Sequence, residues 1–71
     1  MTYKGFRIIP AAVQRPDGSW MLEGAIGPEH SEAAAERFDS ENFYPSEEAA
    51  NQHFVEFAKR YIDGNATRAD L

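Results

Sequence analysis

The chain has 71 residues, of which 42% are hydrophobic, 13% aromatic and 27% charged; its formal net charge is -5 and it has no cysteine. That length allows one domain, which buries only roughly 60–65% of its unfolded surface, and without cysteine neither disulfides nor thiolate metal sites can staple it. The aromatic content argues against disorder, no apolar run approaches the ~20 residues of a membrane span, and Met1–Arg7 lacks the apolar stretch of a signal peptide, so a soluble cytoplasmic protein is expected.

Residues 3–13 read as a first strand. Phe6, Ile8 and Ala12 fall on one face, and Arg7, Ile9, Ala11 and Val13 on the other. Pro10 cannot donate to a ladder and places this strand at an edge or marks a bulge. Arg15-Pro16-Asp17-Gly18-Ser19 is a turn: proline pre-sets φ, aspartate bonds the backbone ahead, and glycine takes positive φ. A hairpin then leads into a second strand, Trp20–Ile26, with Trp20, Leu22, Gly24 and Ile26 on one face and Met21, Glu23 and Ala25 on the other. Gly24 weakens a strand interior and allows a bulge or a close approach of the helix.

Gly27-Pro28 ends that strand. Residues 33–40 read either as a short helix, from the propensity of Ala33-Ala34-Ala35-Glu36-Arg37, or as a third strand with Phe38 turned inward. The strand is favoured, because two strands and one helix close a core poorly. Ser40–Tyr44 is then a connection, with Phe43 and Tyr44 under the start of the next helix.

That helix is the best-specified element. Ser46 can cap it, Glu47 and Glu48 suit its first turn, Lys59 and Arg60 its last, and Gly64 its stop. From Glu47 to Asp63, Ala50, Phe54, Phe57, Ala58, Tyr61 and Ile62 form a core-facing stripe. Residues 65–71 are polar and aperiodic, and are expected to be a disordered tail to a domain at residues 1–64.

Few groups suggest chemistry. His30 lies in an acidic loop with Glu29 and Glu32, His53 lies on the helix, and no third ligand stands at metal-site spacing. Asp39, Glu41, Glu47 and Glu48 lack the glycine and ligand spacing of a calcium loop. Ser19, Ser31, Ser40 and Ser46 are the candidate nucleophiles; none sits in G-x-S-x-G, and Ser46 serves better as a cap. No glycine-rich phosphate loop is present. Neither an enzyme nor a cofactor or metal is therefore expected, and no small-molecule ligand is evident.

Charge is uneven. Residues 1–27 carry Lys4, Arg7 and Arg15 against Asp17 and Glu23, a net of +1, which leaves -6 on residues 28–71. That field disfavours nucleic acid and anionic lipid. Arg7, with Lys4 and Arg15 flanking its strand, still offers an alternative in which an open sheet face lies in a nucleic-acid groove.

Tyr3-Lys4-Gly5-Phe6, Ile8 to Pro10, Gly18 before an aromatic strand with Ile26, Phe38, Ser46-Glu47-Glu48-Ala49 and Tyr61-Ile62-Asp63-Gly64 together resemble short uncharacterised bacterial single-domain proteins. The pattern is similar to the small HlyU-type family over residues 3–64. The resemblance implies a strand at Phe38 and a regulatory connection. Asp39-Ser40-Glu41-Asn42 replaces the arginine-bearing segment of that family, so no functional residue carries over.

The expected fold is α+β, a three-stranded antiparallel β-β-β-α meander with the C-terminal helix on one face. Its expected core is Phe6, Ile8, Leu22, Ile26, Phe38, Phe54, Phe57, Ala58 and Tyr61, with Trp20 at the margin. The uncovered face would show Arg7, Ile9, Ala11, Val13, Met21, Glu23 and Ala25, more apolar than an open face usually is. The expected function is a non-catalytic protein–protein interaction or homodimerisation module.

Overall fold

Strands β1 (Thr2–Tyr3), β2 (Phe6–Pro10), β3 (Val13–Gln14), β4 (Trp20–Pro28) and β5 (Glu36–Tyr44) form one antiparallel sheet, and helix α1 (Glu47–Ile62) packs on one of its faces. The computed structural model describes the backbone of residues 1–71 and every side chain except that of Glu32. The α+β class is as expected, but the sheet has five strands rather than three. The order is β1-β2-β4-β3, with β5 on the other edge of β4.

The difference has two local causes. Lys4 and Gly5 both take positive φ, 49° and 82°, as a tight two-residue hairpin requires, and so fold Thr2–Tyr3 back on β2 as an extra strand. The expected first strand is also interrupted at Ala11–Ala12, just after Pro10, which has no N–H to donate. Residue pairing keeps one register from Phe6↔Pro28 to Gln14↔Trp20, so β2 and β3 are one strand in two pieces and no residue is inserted between them. At the gap Ala11 N–H donates to the Glu23 carbonyl at 2.9 Å, and Ala12 N–H donates to the Asn51 side chain at 3.1 Å.

The ambiguous segment resolves into a 3-10 turn at Glu32–Ala34 followed by β5. This strand runs on through Tyr44, so Ser40–Tyr44 is not a connection. Pairing shifts between Glu23↔Asp39 and Met21↔Phe43, leaving residues 40–42 opposite Leu22, and Ser40 Oγ accepts from Asn42 N–H inside this bulge. Alternation beyond the bulge sends Tyr44 to the helix side, where it stacks on His53 at 4.6 Å, and leaves Phe43 exposed on the opposite face. The expected place of Phe43 under the helix is thus corrected.

Helix α1 begins and ends as its sequence signals require. Ser46 has extended backbone and its Oγ accepts from Ala49 N–H at 3.1 Å. At the other end Gly64, at φ 80°, lets Asn65 N–H reach the Arg60 carbonyl and Gly64 N–H the Tyr61 carbonyl, at 2.8 and 3.1 Å.

Ile8, Leu22, Ile26, Phe38, Phe54, Phe57 and Ala58 form the buried core, joined by Ala50 and Ala66. Phe38 is its centre, with the rings of Phe57 and Tyr61 edge-on at 5.7 and 5.1 Å. Two expected core residues are placed differently. Phe6 is 39% exposed because it pairs with Pro28 at the end of the sheet, and Tyr61 is half-buried with its hydroxyl near Glu36. Gly24 meets the helix closely: a Cβ there would stand 2.4 Å from the Phe54 ring.

Residues 65–71, expected to fray, lie against the sheet. Ala66 is buried, Leu71 packs on the core, and Arg68 covers the Phe38 ring at 4.2 Å while donating to the Arg37 carbonyl and to Glu36.

Candidate interaction face

Alternation along the strands assigns every second side chain to the face that α1 does not cover. The registers arrange these residues in four rows across the sheet: Arg7 with Gly27; Ile9, Ala25 and Arg37; Ala11, Glu23 and Asp39; and Val13, Met21 and Phe43. All seven residues expected on this face from the sequence are brought together there. Arg37, Asp39 and Phe43 join them: Phe43 was missed because β5 was expected to stop at Ser40, whereas Arg37 and Asp39, either side of the inward Phe38 in the expected strand, were not carried onto this face. Period-two alternation of Arg37, Asp39 and Phe43 about the bulge is the signal that finds them.

Three large apolar side chains stand out of this face: Ile9 is 42% exposed, Val13 44% and Phe43 52%. Met21 and Ala25 between them are half-buried. The charges are balanced. Arg37 pairs with Glu23 at 3.1 Å, Arg7 donates to the Glu29 carbonyl at 2.8 Å, and Arg15 lies over the Phe43 ring at 4.6 Å. At the Gly27 end a hollow of about 250 Å³ opens between Arg7, Ile9, Gly27 and Pro28 on the sheet and Ser31 and Ala35 in the following loop. The loop lies close because Gly27 has no side chain; a Cβ would stand 2.7 Å from the Ala35 Cα.

The groups considered for chemistry are dispersed. His30 follows the end of β4, whereas His53 stacks on Tyr44 beside its start, where Tyr44 pairs with Trp20. Ser46 is a helix cap, Ser40 accepts within the bulge, and Ser19 donates to Asp17 at 2.6 Å in the turn. That hydroxyl and the Ser19 backbone N–H hold the Asp17 carboxyl below its ordinary value. Among the described residues no three histidine or acidic side chains converge as a metal site would require, and no helix is long and apolar enough to cross a membrane.

A second hollow, of about 290 Å³, lies on the helix side between Phe6, Ile26, Pro28, Ala34, Tyr61 and Ile62, with Glu36 at its rim. Tyr61 and Arg68 both bond the Glu36 carboxylate, so its polar group is already engaged.

Fold and face together define a small α+β domain with one sheet face covered by its helix and the other left half-apolar. Comparison with protein families, with characterised proteins and with solved structures finds no match.

Proposed function

We propose that this protein is a non-catalytic interaction module that engages a protein partner through the uncovered sheet face. The observation that carries this reading is the alignment of Ile9, Val13 and Phe43, all more than two-fifths exposed, on a single face. Large apolar side chains gathered on one exposed face are the usual mark of a contact surface. The dispersal of both histidines and the structural employment of Ser19, Ser40 and Ser46 support a role without catalysis.

The nucleic-acid alternative draws less support. Arg37 is already paired with Glu23, and Asp39 stands in the same row, so the face offers phosphates little net positive charge. The HlyU-type resemblance adds no site residue to either reading.

A photo-crosslinking residue at Met21, compared with one at the exposed helix position Gln52, tests the reading in cells of the native host. Protein adducts are expected at position 21 and suppressed by Ile9→Glu; equal labelling at both positions would overturn it. Adding short duplex DNA or RNA at low salt, with gel shift as readout, separates the alternative: a shift abolished by Arg7→Ala would support the groove reading instead.

A further inference from the structure

We infer that the partner of this face is a second copy of the same chain, packed face to face about a two-fold axis that crosses the strands at the Gly24↔Phe38 row. The inference rests on the interaction reading above and names its partner. It follows from how the rows are distributed about that line. Arg37 and Asp39 lie in β5 one residue either side of Phe38, and both belong to the uncovered face. Rotation about an axis across the strands leaves β5 over β5 and reverses its direction. Arg37 of each copy, paired with its own Glu23 but still 79% exposed, then also faces Asp39 of the other, twice per dimer, as an isologous contact requires.

Shape follows the same symmetry. The row Val13, Met21 and Phe43 and the row of Arg7 and Gly27 lie equally far from the axis, three residues along β4 in opposite directions. The rotation lays one over the other. Met21 then stands over the hollow lined by Arg7, Ile9, Gly27 and Pro28, Val13 stands over the Arg7 side chain, and Phe43 stands against Ala35. Ile9 and Ala25 of each copy meet Ala11 and Glu23 of the other near the axis. The Coulomb match and the knob-to-hollow match are separate observations that select the same axis.

Size sets the expected strength. A face of three strands, each about nine residues long, measures about 30 by 14 Å, or about 400 Å². A standard interface takes about 800 Å² per partner, so this dimer belongs with the small and weak ones, with micromolar or weaker dissociation.

The test uses the full chain in three forms: wild type, Arg37→Asp and Asp39→Arg, each checked for native circular dichroism. Sedimentation equilibrium from about 10 µM to about 1 mM, spanning that affinity range, should show the wild type dimerising and each variant monomeric. An equimolar mixture of the two variants should dimerise again, because the substituted Asp at 37 of one chain faces the substituted Arg at 39 of the other at one contact, and the native Asp39 of the first faces the native Arg37 of the second at the other. Restoration of at least tenfold tighter association in the mixture than in either variant alone supports the two-fold arrangement. Wild-type dimers without rescue in the mixture would overturn that arrangement, and a monomer throughout would overturn self-association. Ile9→Glu and Met21→Glu separate this failure from failure of the interaction reading. If the wild type dimerises and both variants dimerise equally well, the uncovered face is not the dimer contact and this inference falls, while crosslinking at Met21 decides the interaction reading separately.

Discussion

The two faces of this sheet are made by the same strands and carry similar side chains, yet one is sealed and the other open. β2 offers Ile8 to the helix and Ile9 to the outside; the first is fully buried and the second 42% exposed. β4 offers Leu22 and Ile26 to one side and Met21 and Ala25 to the other. Hydrophobicity therefore does not decide which face α1 covers. Shape does: Gly24 leaves a gap that the Phe54 ring fills to within 2.4 Å of a missing Cβ, while Phe38 supplies the surface on which Phe57 and Tyr61 stack. The uncovered face lacks such a socket at its middle, and its own glycine, Gly27, is taken by Ala35.

Phe54→Ala should break the difference between the faces most severely. The ring is fully buried, and its loss should cost about 3–5 kcal/mol, enough to unfold much of a domain this small. Loss of the cooperative melting transition is the expected result, and unchanged melting would show that the socket does not organise the core. Gly24→Ala attacks the same contact from the sheet side. The ring cannot retreat because it is enclosed, so overpacking should cost about 1–3 kcal/mol. Chemical denaturation measures it, and Phe54→Leu in the same chain should recover part of the loss.

Ser46→Ala removes the acceptor for Ala49 N–H and should cost about 1 kcal/mol, seen as a lower denaturation midpoint at constant slope. On the open side, Ile9→Glu should change stability by no more than about 0.5 kcal/mol, since the residue is exposed. A large loss there would mean that the open face is part of the fold rather than a surface.

What could be read in advance follows physical lines. Helix α1 was legible because cap, apolar period and stop coincide in one segment, and the structure places the boundaries at Glu47 and Ile62. The apolar character of the uncovered face was legible from alternation alone. The extent of β5 was not, because Ser40-Glu41-Asn42 carries turn-forming residues and the ladder resumes only after a bulge. That hid Phe43, the most exposed large apolar side chain of the face. β1 has two residues and no period, and only the positive φ at Lys4 and Gly5 makes it a strand. The docking of Ala66 and Arg68 depends on long-range contacts with Phe38 and Glu36 that no local pattern announces.

The smallest expected effect concerns the clasp that holds the first hairpin to the end of the covering helix. Asp63 accepts from Lys4 Nζ at 2.6 Å and from the Tyr3 hydroxyl at 2.9 Å, and Lys59 lies 5.6 Å from the centre of the Tyr3 ring. The Lys4 bond, with a lesser part from Tyr3, holds the Asp63 carboxyl below its ordinary value, and the same pairing raises Lys4. A carboxyl depressed in the folded state contributes stability above its unfolded pKa of about 3.9. That contribution disappears as pH falls through the lower folded value. A raised lysine contributes below its unfolded pKa of about 10.4 and loses this as pH rises through its folded value. The clasp should therefore stabilise evenly across neutral pH and fail at both extremes. Subtracting the melting temperature of Asp63→Asn from that of the wild type isolates it, because the depressed Asp17 is present in both proteins and cancels. The difference should be small and positive near pH 7, shrink toward zero in acid, and diminish with added salt because the Lys4 side chain is 62% exposed. A difference that stays constant into acid would assign the stabilisation to contacts of the Asp63 side chain that do not depend on its charge.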